Sequence, residues 1–427
     1  MFYYLHLTRP PPEQASPYQP LLITPNIAND LRTEFPSPGP GTEGGIDIFY
    51  AWVKCIDGDA QKQRTLGPMT QPLKLMTWNG NSYKEVQVFP PKEAAGSDTS
   101  RWSLLLCTRS SSPGNPYITS IDLSAGDFGN HIFPILSAPV HFVSGSRTGT
   151  GRSNNQKIEP TESRKNTKQV RNERLFKLPS PLFNSPTVGP LRVTEHLSYD
   201  LDKKVWDSGV GLSNWLVSAM LEASRIDSDE LADGIPSIVK SLMRTKRATF
   251  VELGTGTGLV SIVLATLLSH CPEQPQSKII ATDLPSAMEL LEVNLSDNAA
   301  YWHTPNSSSS SIQLAVLDWN EEDEEKQFPT EIQESGVDFI IMADVTYNTA
   351  SFPSLIRTLS RLSTRAHRSP SVLLAYKERD PDERRLWDMA RGIGLHFDEI
   401  GRVPGAGDVP VEIYQGRFER RNERREK

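Results

Sequence analysis

The stretch "VELGTGTGL", residues 251–259, is the segment of the sequence that says most about its architecture. Apolar residues lead to Glu252, glycines follow at positions 254, 256 and 258, and an apolar helical pattern starts at Leu259. Glycine lets the backbone pass close to a ligand at the mouth of a β-α crossover, where doubly wound sheets bind nucleotides. The stretch therefore predicts a strand, a glycine turn and a helix of a doubly wound α/β sheet.

The sequence after this turn alternates between apolar strands and amphipathic helices. It predicts strands in "KIIATD", "VDFIIMAD" and "SVLLAYK", and helices in "PSAMELLEVNL", "FPSLIRTLSRL" and "DERRLWDMARGIG", the first of which begins at Pro285. Such alternation predicts a mostly parallel sheet that is covered on both faces. "LHFDEIGRV" and "VEIYQGRFE" follow each other without a helix, so we expect one of these strands to run antiparallel.

The 427 residues divide into four regions of different composition. Residues 1–145 hold short apolar runs between Gly, Pro and Ser clusters, which predicts a β-rich N-terminal domain or extension. Residues 146–189 are polar, basic and interrupted by proline, which predicts a linker. Residues 190–420 carry the doubly wound pattern, and residues 421–427 form a charged tail.

Composition argues against several classes of protein. The net charge of −7 disfavours a general nucleic-acid binder, whose surface would be basic. The widely spaced Cys55, Cys107 and Cys271 fit neither a disulfide framework nor a zinc site, and the scattered histidines show no metal spacing. The sequence shows no basic leader, and no apolar run approaches the roughly 20 residues that span a bilayer. We therefore expect a cytoplasmic protein, with the nucleus as the alternative compartment, and no membrane partner.

The glycine pattern is E-x-G-x-G-x-G, because Leu259 stands where the dinucleotide fingerprint G-x-G-x-x-G requires glycine. An acid two residues before the first glycine suits a cofactor with a positively charged amino group better than a pyrophosphate. Asp283 ends the next strand, where a carboxylate can accept hydrogen bonds from the hydroxyls of an adenosine ribose. The alternatives are a glycine turn without a ligand and, at Asp283, a helix N-cap ahead of Pro285.

A further stretch, "FIIMADVTYN" at residues 339–348, ends an apolar strand with Asp344 and places Tyr347 three positions later. Either both side chains face a reacting group at the ligand crevice, or the acid caps a turn beside a packed tyrosine. "AYKERD" at residues 375–380 brings Lys377 and Arg379 near the same edge, either as borders of an acceptor site or as solvated loop charges.

Several stretches occur together in one known family. "KKVWDSGVGLSNWL", "VELGTGTGLVSIVLA", "IIATDLPSAMELLEVNL", "AVLDW" and "FIIMADVTYN" have the order and spacing of the family 16 seven-β-strand protein-lysine methyltransferases, which the chain resembles over roughly residues 190–420. The V-W-D, L-x-W and D-x-x-Y elements are much more specific than the glycine motif. The resemblance is to a fungal-type member with a long N-terminal extension. It implies a seven-stranded Rossmann-like methyltransferase sheet.

The resemblance also implies which residues bind S-adenosylmethionine. Backbone atoms of the glycine turn would pass under the methionine part, and aromatic rings would line the pocket, although a single tryptophan would ordinarily be a core residue. By role these positions are Trp206 in the pocket wall, Glu252, Gly254, Thr255, Gly256 and Gly258 in the glycine motif, Asp283 at the ribose, Asp318 and Trp319 beside the adenine, and Ala343 through its backbone.

At the acceptor, the implied reaction is methyl transfer to a lysine ε-amine of a protein. Lysine has a solution pKa of about 10.4 and must first lose a proton. We expect Asp344 to orient the amine and Tyr347 to shape the acceptor channel beside an apolar wall. "DVTY" lacks the two prolines and the amide of base-modifying methylases, so a nucleobase acceptor is disfavoured.

The expected partner is a protein of the chaperone, AAA ATPase, translation-factor or ribosomal class. We expect no metal cofactor, no nucleic-acid partner and a monomeric enzyme. Two other functions fit parts of the sequence. A small-molecule N-methyltransferase for a nicotinamide-like amine would close the pocket above Tyr347. A non-catalytic binding module would keep a vestigial cofactor site, which the intact set of Glu252, glycines, Asp283 and Asp344 argues against.

Overall fold

The computed structural model describes residues 1–37, 45–57, 64–80, 83–96, 101–110, 116–143, 168–179, 189–198, 200–225, 235–245, 247–270, 277–302, 310–366 and 368–419. Most of the predicted linker, the charged tail at 421–427 and Cys271 lie outside these ranges.

The N-terminal half of the described chain consists of β-strands. Their bounds are β1 Tyr3–Arg9, β2 Gln14–Ala15, β3 Leu21–Ala28, β4 Ile46–Asp57, β5 Arg64–Met69, β6 Leu73–Trp78, β7 Val86–Val88, β8 Arg101–Arg109, β9 Tyr117–Ile118, β10 Ile121–Asp122, β11 Ile132–Phe133, β12 Ile135–Ser137, β13 Val140–Phe142, β14 Arg171–Lys177 and β15 Leu191–His196. One sheet has the order β11-β1-β3-β7, and a larger sheet is built around the antiparallel pair β4 and β8. The two sheets share a buried cluster that includes Leu5, Trp52, Trp78 and Leu104.

Strand β14 lies inside the region predicted as a linker, so that prediction is wrong for residues 171–177. β14 pairs with β10, β12 and β15, and through it β15 extends the N-terminal sheet. Its Arg174 is only 1% exposed. The guanidinium pairs with Glu195 at 2.9 Å and lies 4.8 Å from the ring centroid of Tyr4. The basic composition is typical of a solvated linker, because the two partners of Arg174, the carboxylate of Glu195 and the ring of Tyr4, lie far from it in the sequence.

The second half alternates helices and strands. Their bounds are α1 Asp207–Ser224, α2 Ser237–Arg244, β16 Thr249–Leu253, α3 Leu259–Ser269, β17 Lys278–Asp283, α4 Met288–Asn298, β18 Ser311–Val316, α5 Glu324–Gln327, α6 Thr330–Ser335, β19 Phe339–Ala343, α7 Phe352–Arg365, β20 Ser371–Tyr376, α8 Arg385–Gly392, β21 Leu395–Val403 and β22 Val411–Phe418. Within the described residues these strands form a sheet of seven in the order β18-β17-β16-β19-β20-β22-β21.

The pairing of these strands confirms the α/β class and the mostly parallel sheet. β16 to β20 run parallel, and β22 lies antiparallel between β20 and β21, as the two successive strand patterns predicted. β16 is buried at every position and α3 is buried almost throughout, so the centre of the sheet is covered. Helix α4 begins at Met288, and residues 285–287 form a turn, so the predicted start at Pro285 is wrong.

The N-terminal half and the parallel sheet share a core. Phe2, Tyr4 and Phe128 belong to the same buried cluster as Leu212 of α1 and Phe250 of β16. Close packing of this kind fixes the orientation of the two halves. The β-rich region is therefore integrated with the sheet at the amino end of α1, which lies beside the ligand-binding edge described below.

Candidate active site

The carboxyl ends of β16, β17 and β19 meet at one edge of the sheet and border a cavity of about 210 Å³. Ligands of doubly wound folds bind at this edge, outside the carboxyl ends of the strands. The cavity is lined by most of the residues that the sequence singled out: Trp206, Gly254, Gly256, Asp283, Asp318, Trp319, Ala343, Asp344 and Tyr347.

The glycine turn passes close beneath this cavity. Gly254, Gly256 and Gly258 have φ angles of 65°, 57° and 83°, in the left-handed region that strongly favours glycine. A Cβ at Gly254 would lie 3.4 Å from the ring of Trp319, whereas a Cβ at Gly256 would meet only the carbonyl oxygen of Asp202, at 3.7 Å. Gly256 is therefore the position at which a side chain would enter open space within the cavity.

Asp283 stands at the end of β17 with its carboxylate fixed by two backbone amides. Oδ2 accepts a hydrogen bond from Gly256 N and Oδ1 accepts one from Leu284 N, each at 2.7 Å. Burial raises the pKa of this carboxyl. The alternative role as a cap of α4 is excluded, because α4 starts five positions later at Met288. A carboxylate has about four acceptor sites, so capacity remains for a ligand in the cavity.

Two tryptophans flank the cavity, and both remain partly exposed. Trp206 Nε1 donates to the carbonyl oxygen of Leu201 at 2.7 Å, which holds the 3-10 turn Leu201–Lys203 beside the glycine turn. The carbonyl oxygen of Trp319 accepts from Arg357 at 3.1 Å. Asp318 is exposed at the rim next to it. The Trp206 ring is therefore held by its own hydrogen bond, and Trp319 packs against the edge of a core cluster while part of it stays exposed.

Three residues of the predicted motif lie behind the cavity wall. Glu252 is buried, and its carboxylate accepts a hydrogen bond from Ser261 of α3. Burial raises the pKa of Glu252 to about 7. Thr255 is buried and donates its amide to the carbonyl oxygen of Thr282 at 3.0 Å, and Gly258 is buried where α3 begins. Glu252 does not line the cavity, so its predicted contact with a cofactor amino group has no geometric support.

Asp344 occupies the turn after β19 in a conformation that is unusual for a residue with a side chain. Its φ angle is 57°, and residues held in such conformations are concentrated at functional sites. Oδ2 accepts from the amide of Ser208 at 2.6 Å, and Oδ1 accepts from Nη1 of Arg379 at 2.5 Å. The carboxylate is therefore held from two sides, and the residue still lines the cavity.

Tyr347 lies at the mouth of the cavity, with 54% of its surface exposed. Partial burial of its phenol raises the pKa of Tyr347, and the nearby carboxylates of Asp283 and Asp202 raise it further. The hydroxyl is therefore protonated and able to donate at neutral pH. Asp202, which the sequence analysis did not identify, lines the same cavity.

A second cavity of about 270 Å³ adjoins the first. Leu201, Trp206, Asp344 and Tyr347 line both cavities. The remaining residues around the second cavity are Leu31, Arg379, Asp380 and Glu383. The first cavity is thus bordered by the glycine turn and Asp283, and the second is a short channel whose wall is mostly apolar, with polar groups of Asp344, Tyr347 and Arg379 at its border.

Lys377 and Arg379 were predicted either to border the site or to be solvated, and they are not solvated. Lys377 Nζ pairs with Asp207 at 2.7 Å and with Asp30 at 3.0 Å. Arg379 pairs with Asp30 at 2.8 Å and lies 5.6 Å from the ring centroid of Trp206. Asp207 belongs to the V-W-D stretch, which could have identified it. Asp30 lies in the β-rich region, where no local pattern distinguishes it.

These residues fit an adenosine-containing cofactor on the glycine side. The glycine turn gives close backbone approach, Asp283 offers an acceptor for hydroxyls, and the Trp319 ring offers a flat apolar surface. Among the described residues no cluster of His, Cys, Asp and Glu has a metal-binding arrangement. In the same part of the chain, every helix is too short or too polar to cross a membrane.

Comparison with known proteins places the same region in a defined group. Residues 187–391 match the family model described as lysine methyltransferase. The chain is 30% identical over 178 residues to Protein N-lysine methyltransferase METTL21A of Xenopus tropicalis. The aligned segment covers 42% of this chain and 70% of that protein. The chain is 28% identical over 174 residues to EEF1A lysine methyltransferase 3 of Xenopus tropicalis, which spans 40% and 58%. It is 28% identical over 204 residues to Protein-lysine N-methyltransferase EFM6 of Saccharomyces cerevisiae, which spans 45% and 73%.

Proposed function

We propose, for a chain that belongs to the lysine methyltransferase family, that the cavity at the glycine turn binds S-adenosylmethionine and that the adjoining cavity admits a lysine side chain of a protein. The protein is an S-adenosylmethionine-dependent protein-lysine methyltransferase. The assignment of the two cavities depends on one observation: Asp344 and Tyr347 line both of them. The methyl donor in one cavity and the methyl-accepting amine in the other must meet at these residues.

On the cofactor side, S-adenosylmethionine when bound supplies a methyl group carried on a positively charged sulfur. Asp283 would accept hydrogen bonds from the ribose hydroxyls, and Trp319 would lie beside the adenine. Gly254 and Gly256 would leave room for the methionine part, and Ala343 would contribute its backbone. The fixed carboxylate of Asp283 supports this arrangement, because its two amide bonds orient it before any ligand enters.

On the acceptor side, the lysine ammonium must lose a proton so that its nitrogen lone pair becomes available. The apolar side chains of Leu31, Leu201 and Trp206 in the channel wall disfavour the charged ammonium by removing water from it, and so favour the neutral amine. The proton leaves to solvent at the open mouth of the channel. Asp344 then accepts a hydrogen bond from the neutral amine and aims its lone pair, a positioning effect on which in-line transfer depends. Tyr347 bounds the channel and offers a second hydrogen bond.

The acceptor is a lysine on a protein rather than a free amine. Tyr347 is more than half exposed, so the channel opens to the surface, where a protein side chain can enter. Asp380 and Glu383 place acidic groups at the channel, which favours a basic surface around the target lysine. A relative named as an EEF1A lysine methyltransferase supports the translation-factor class among the predicted substrates. We expect methylation in the cytoplasm, which localisation of a fluorescently tagged chain would test.

The test of this function uses radiolabelled S-adenosylmethionine, the purified chain and a lysate from cells that lack it. Label is counted in the protein, nucleic-acid and small-molecule fractions, and the labelled protein is hydrolysed to identify the modified residue. We expect methyl-lysine in one protein band with the wild type, and none with Asp344→Ala. Label confined to small molecules would instead establish a free amine as the acceptor.

A further inference from the structure

The N-terminal β-region reaches the active site through the turn that follows β3. Asn29 shapes this turn: its Oδ1 accepts hydrogen bonds from the amides of Thr33, at 2.9 Å, and Glu34, at 3.2 Å. Its own amide donates to the carbonyl oxygen of Glu34 at 2.9 Å. The turn therefore has a defined conformation. It presents two consecutive residues, Asp30 and Leu31, to the methyltransferase half of the chain.

Asp30 is fully buried and lies between two cations of the methyltransferase half. Its Oδ1 accepts from Lys377 at 3.0 Å, and its Oδ2 accepts from Arg379 at 2.8 Å. Lys377 in turn donates to Asp207 at 2.7 Å. Together with Asp344, which also pairs with Arg379, the group contains three carboxylates and two cations, and so carries one net negative charge when all are ionised. Buried charges of this kind are tolerated only when each is paired and hydrogen-bonded.

The same guanidinium connects Asp30 to Asp344. Arg379 donates Nη2 to Asp30 and Nη1 to Asp344, and it lies over the ring of Trp206. A planar guanidinium held by two carboxylates has one orientation, because its donors form a rigid fork. The position of the Asp344 carboxylate consequently depends on Asp30.

Leu31 lies directly at the channel. It is 44% exposed and lines the second cavity, whose other lining residues all come from the methyltransferase half. An apolar side chain at this position has no polar partner to satisfy, so it can pack against the aliphatic stem of a lysine or against the substrate chain beside it.

We propose that the N-terminal β-region completes the acceptor channel, with Leu31 contacting the substrate next to the target lysine and Asp30 positioning Asp344 through Arg379. This inference rests on the proposed acceptor side of the site. It assigns to the β-region a direct part in choosing the substrate and in aligning the amine. Asp30 is a positioning residue, since it reaches the reacting amine only through Arg379.

The contact made by Leu31 is tested with a matched pair of substitutions. Leu31→Trp enlarges a side chain at the channel, and Leu22→Trp enlarges one of similar exposure, 40%, on β3 away from it. Both variants are assayed as full chains for initial rate of tritium transfer into the labelled protein band of an enzyme-deficient lysate. We expect a rate at least 10-fold below wild type for Leu31→Trp and a wild-type rate for Leu22→Trp. Both should keep wild-type affinity for S-adenosylmethionine by calorimetry.

The positioning role of Asp30 is tested with Asp30→Asn. Removing one of the three carboxylates takes the group from one net negative charge to neutral, and the loss of negative charge lowers the pKa of a nearby amine. We expect kcat to fall at least 10-fold, cofactor affinity to stay within 2-fold, and the pH dependence of kcat to move toward lower pH. A merely structural loss would lower the amount of folded enzyme without moving the pH dependence of kcat.

The outcomes separate this inference from the proposed function. A wild-type rate for Leu31→Trp together with an unshifted pH dependence for Asp30→Asn would overturn the inference and leave the acceptor site standing. If Asp344→Ala and Tyr347→Phe also transferred methyl groups at the wild-type rate, the acceptor site itself would be refuted. Should Asp30→Asn fail to fold, the Leu31 pair decides the matter, because both positions are exposed.

Discussion

Asp283 accepts a hydrogen bond from the backbone amide of Gly256 at 2.7 Å, so the acid that ends one strand is held by the glycine turn that follows its neighbour. The contact joins the two strongest motifs of the sequence into one unit. A substitution at either position should therefore lower the affinity for the cofactor.

Replacing Gly256 with arginine should abolish binding of S-adenosylmethionine. The left-handed φ of 57° disfavours any side chain, by about 1–2 kcal/mol, and the added chain would fill the cavity. Isothermal titration calorimetry measures the loss, and circular dichroism verifies folding. Gly392→Arg is the matched control, because Gly392 is exposed with no atom within 4 Å of an added Cβ. Unchanged affinity in Gly256→Arg would contradict the placement of the cofactor.

Replacing Asp283 with alanine should weaken binding of S-adenosylmethionine by about 10- to 100-fold, which corresponds to about 1.4–2.7 kcal/mol. The variant loses the acceptor for the ribose and leaves the amides of Gly256 and Leu284 without their partner. Hydrogen bonds to a charged group contribute about 1.5–3 kcal/mol each, which sets this range. Titration of wild type and variant side by side measures it. An affinity within 2-fold of wild type would show that Asp283 only shapes the turn.

Replacing Asp344 with asparagine should lower kcat by about 10²-fold or more, the usual contribution of a residue that handles a proton or orients a nucleophile. Cofactor affinity should change by less than about 3-fold, since the contacts assigned to the cofactor come from other residues. Steady-state kinetics with the labelled acceptor protein gives kcat, and calorimetry gives the affinity. Tyr347→Phe should lower kcat by a smaller factor, about 10-fold, because the ring still bounds the channel. Equal loss of affinity and of kcat in Asp344→Asn would assign this residue to the cofactor instead.

Replacing Glu252 with glutamine should change how stability depends on pH. Burial raises the pKa of Glu252 in the folded protein from 4.5 to about 7. A raised carboxyl pKa means that the folded state binds more protons than the unfolded state between these two values, so wild-type stability falls as the pH rises through that window. The stability of Glu252→Gln relative to wild type should increase by at most about 3 kcal/mol between pH 4 and pH 8. Urea denaturation of both proteins across this range measures the difference. A constant difference would show that Glu252 titrates normally.

Replacing Arg174 with alanine should destabilise the whole protein by about 3–5 kcal/mol, because it leaves the buried Glu195 unpaired and removes the cation over the ring of Tyr4. Lys177→Ala on the same strand is the control. Its side chain is 57% exposed, so we expect a change within about 1 kcal/mol. Chemical denaturation of both variants provides the comparison. Equal effects would contradict the burial of β14.

The sequence was most informative for residues whose role depends on their immediate neighbours along the chain, such as glycines and acids at the ends of strands. Gly254, Gly256 and Asp283 could be located because each lies at or just after the end of an apolar strand, and the carboxyl ends of parallel strands meet at one edge. Trp206 and Trp319 could be assigned only through the family's order of motifs, since a tryptophan alone says little. These residues line the predicted cavity together.

The sequence was least informative where a charge depends on a distant partner. Lys377 and Arg379 could equally have been solvated, and Asp30, which pairs with both, lies more than 300 positions earlier. Arg174 was assigned to a linker for the same reason. Glu252 was expected at the cofactor because it precedes the glycines, yet its carboxylate accepts a hydrogen bond from the hydroxyl of Ser261 on α3. The sequence around such a charged residue indicates which element it belongs to, but not which distant side chain pairs with it in the folded protein.

The charge balance around Asp30, Asp207, Lys377 and Arg379 has an evolutionary consequence. Loss of Lys377 removes the cation that pairs with Asp207, and loss of Arg379 removes the cation that pairs with Asp344, so either loss leaves a buried carboxylate without its charged partner. A relative without a β-region would lack Asp30, and its two cations would then have only the carboxylates of Asp207 and Asp344 as partners. We therefore expect position 377 to covary with position 207, and position 379 with position 344, across related genes.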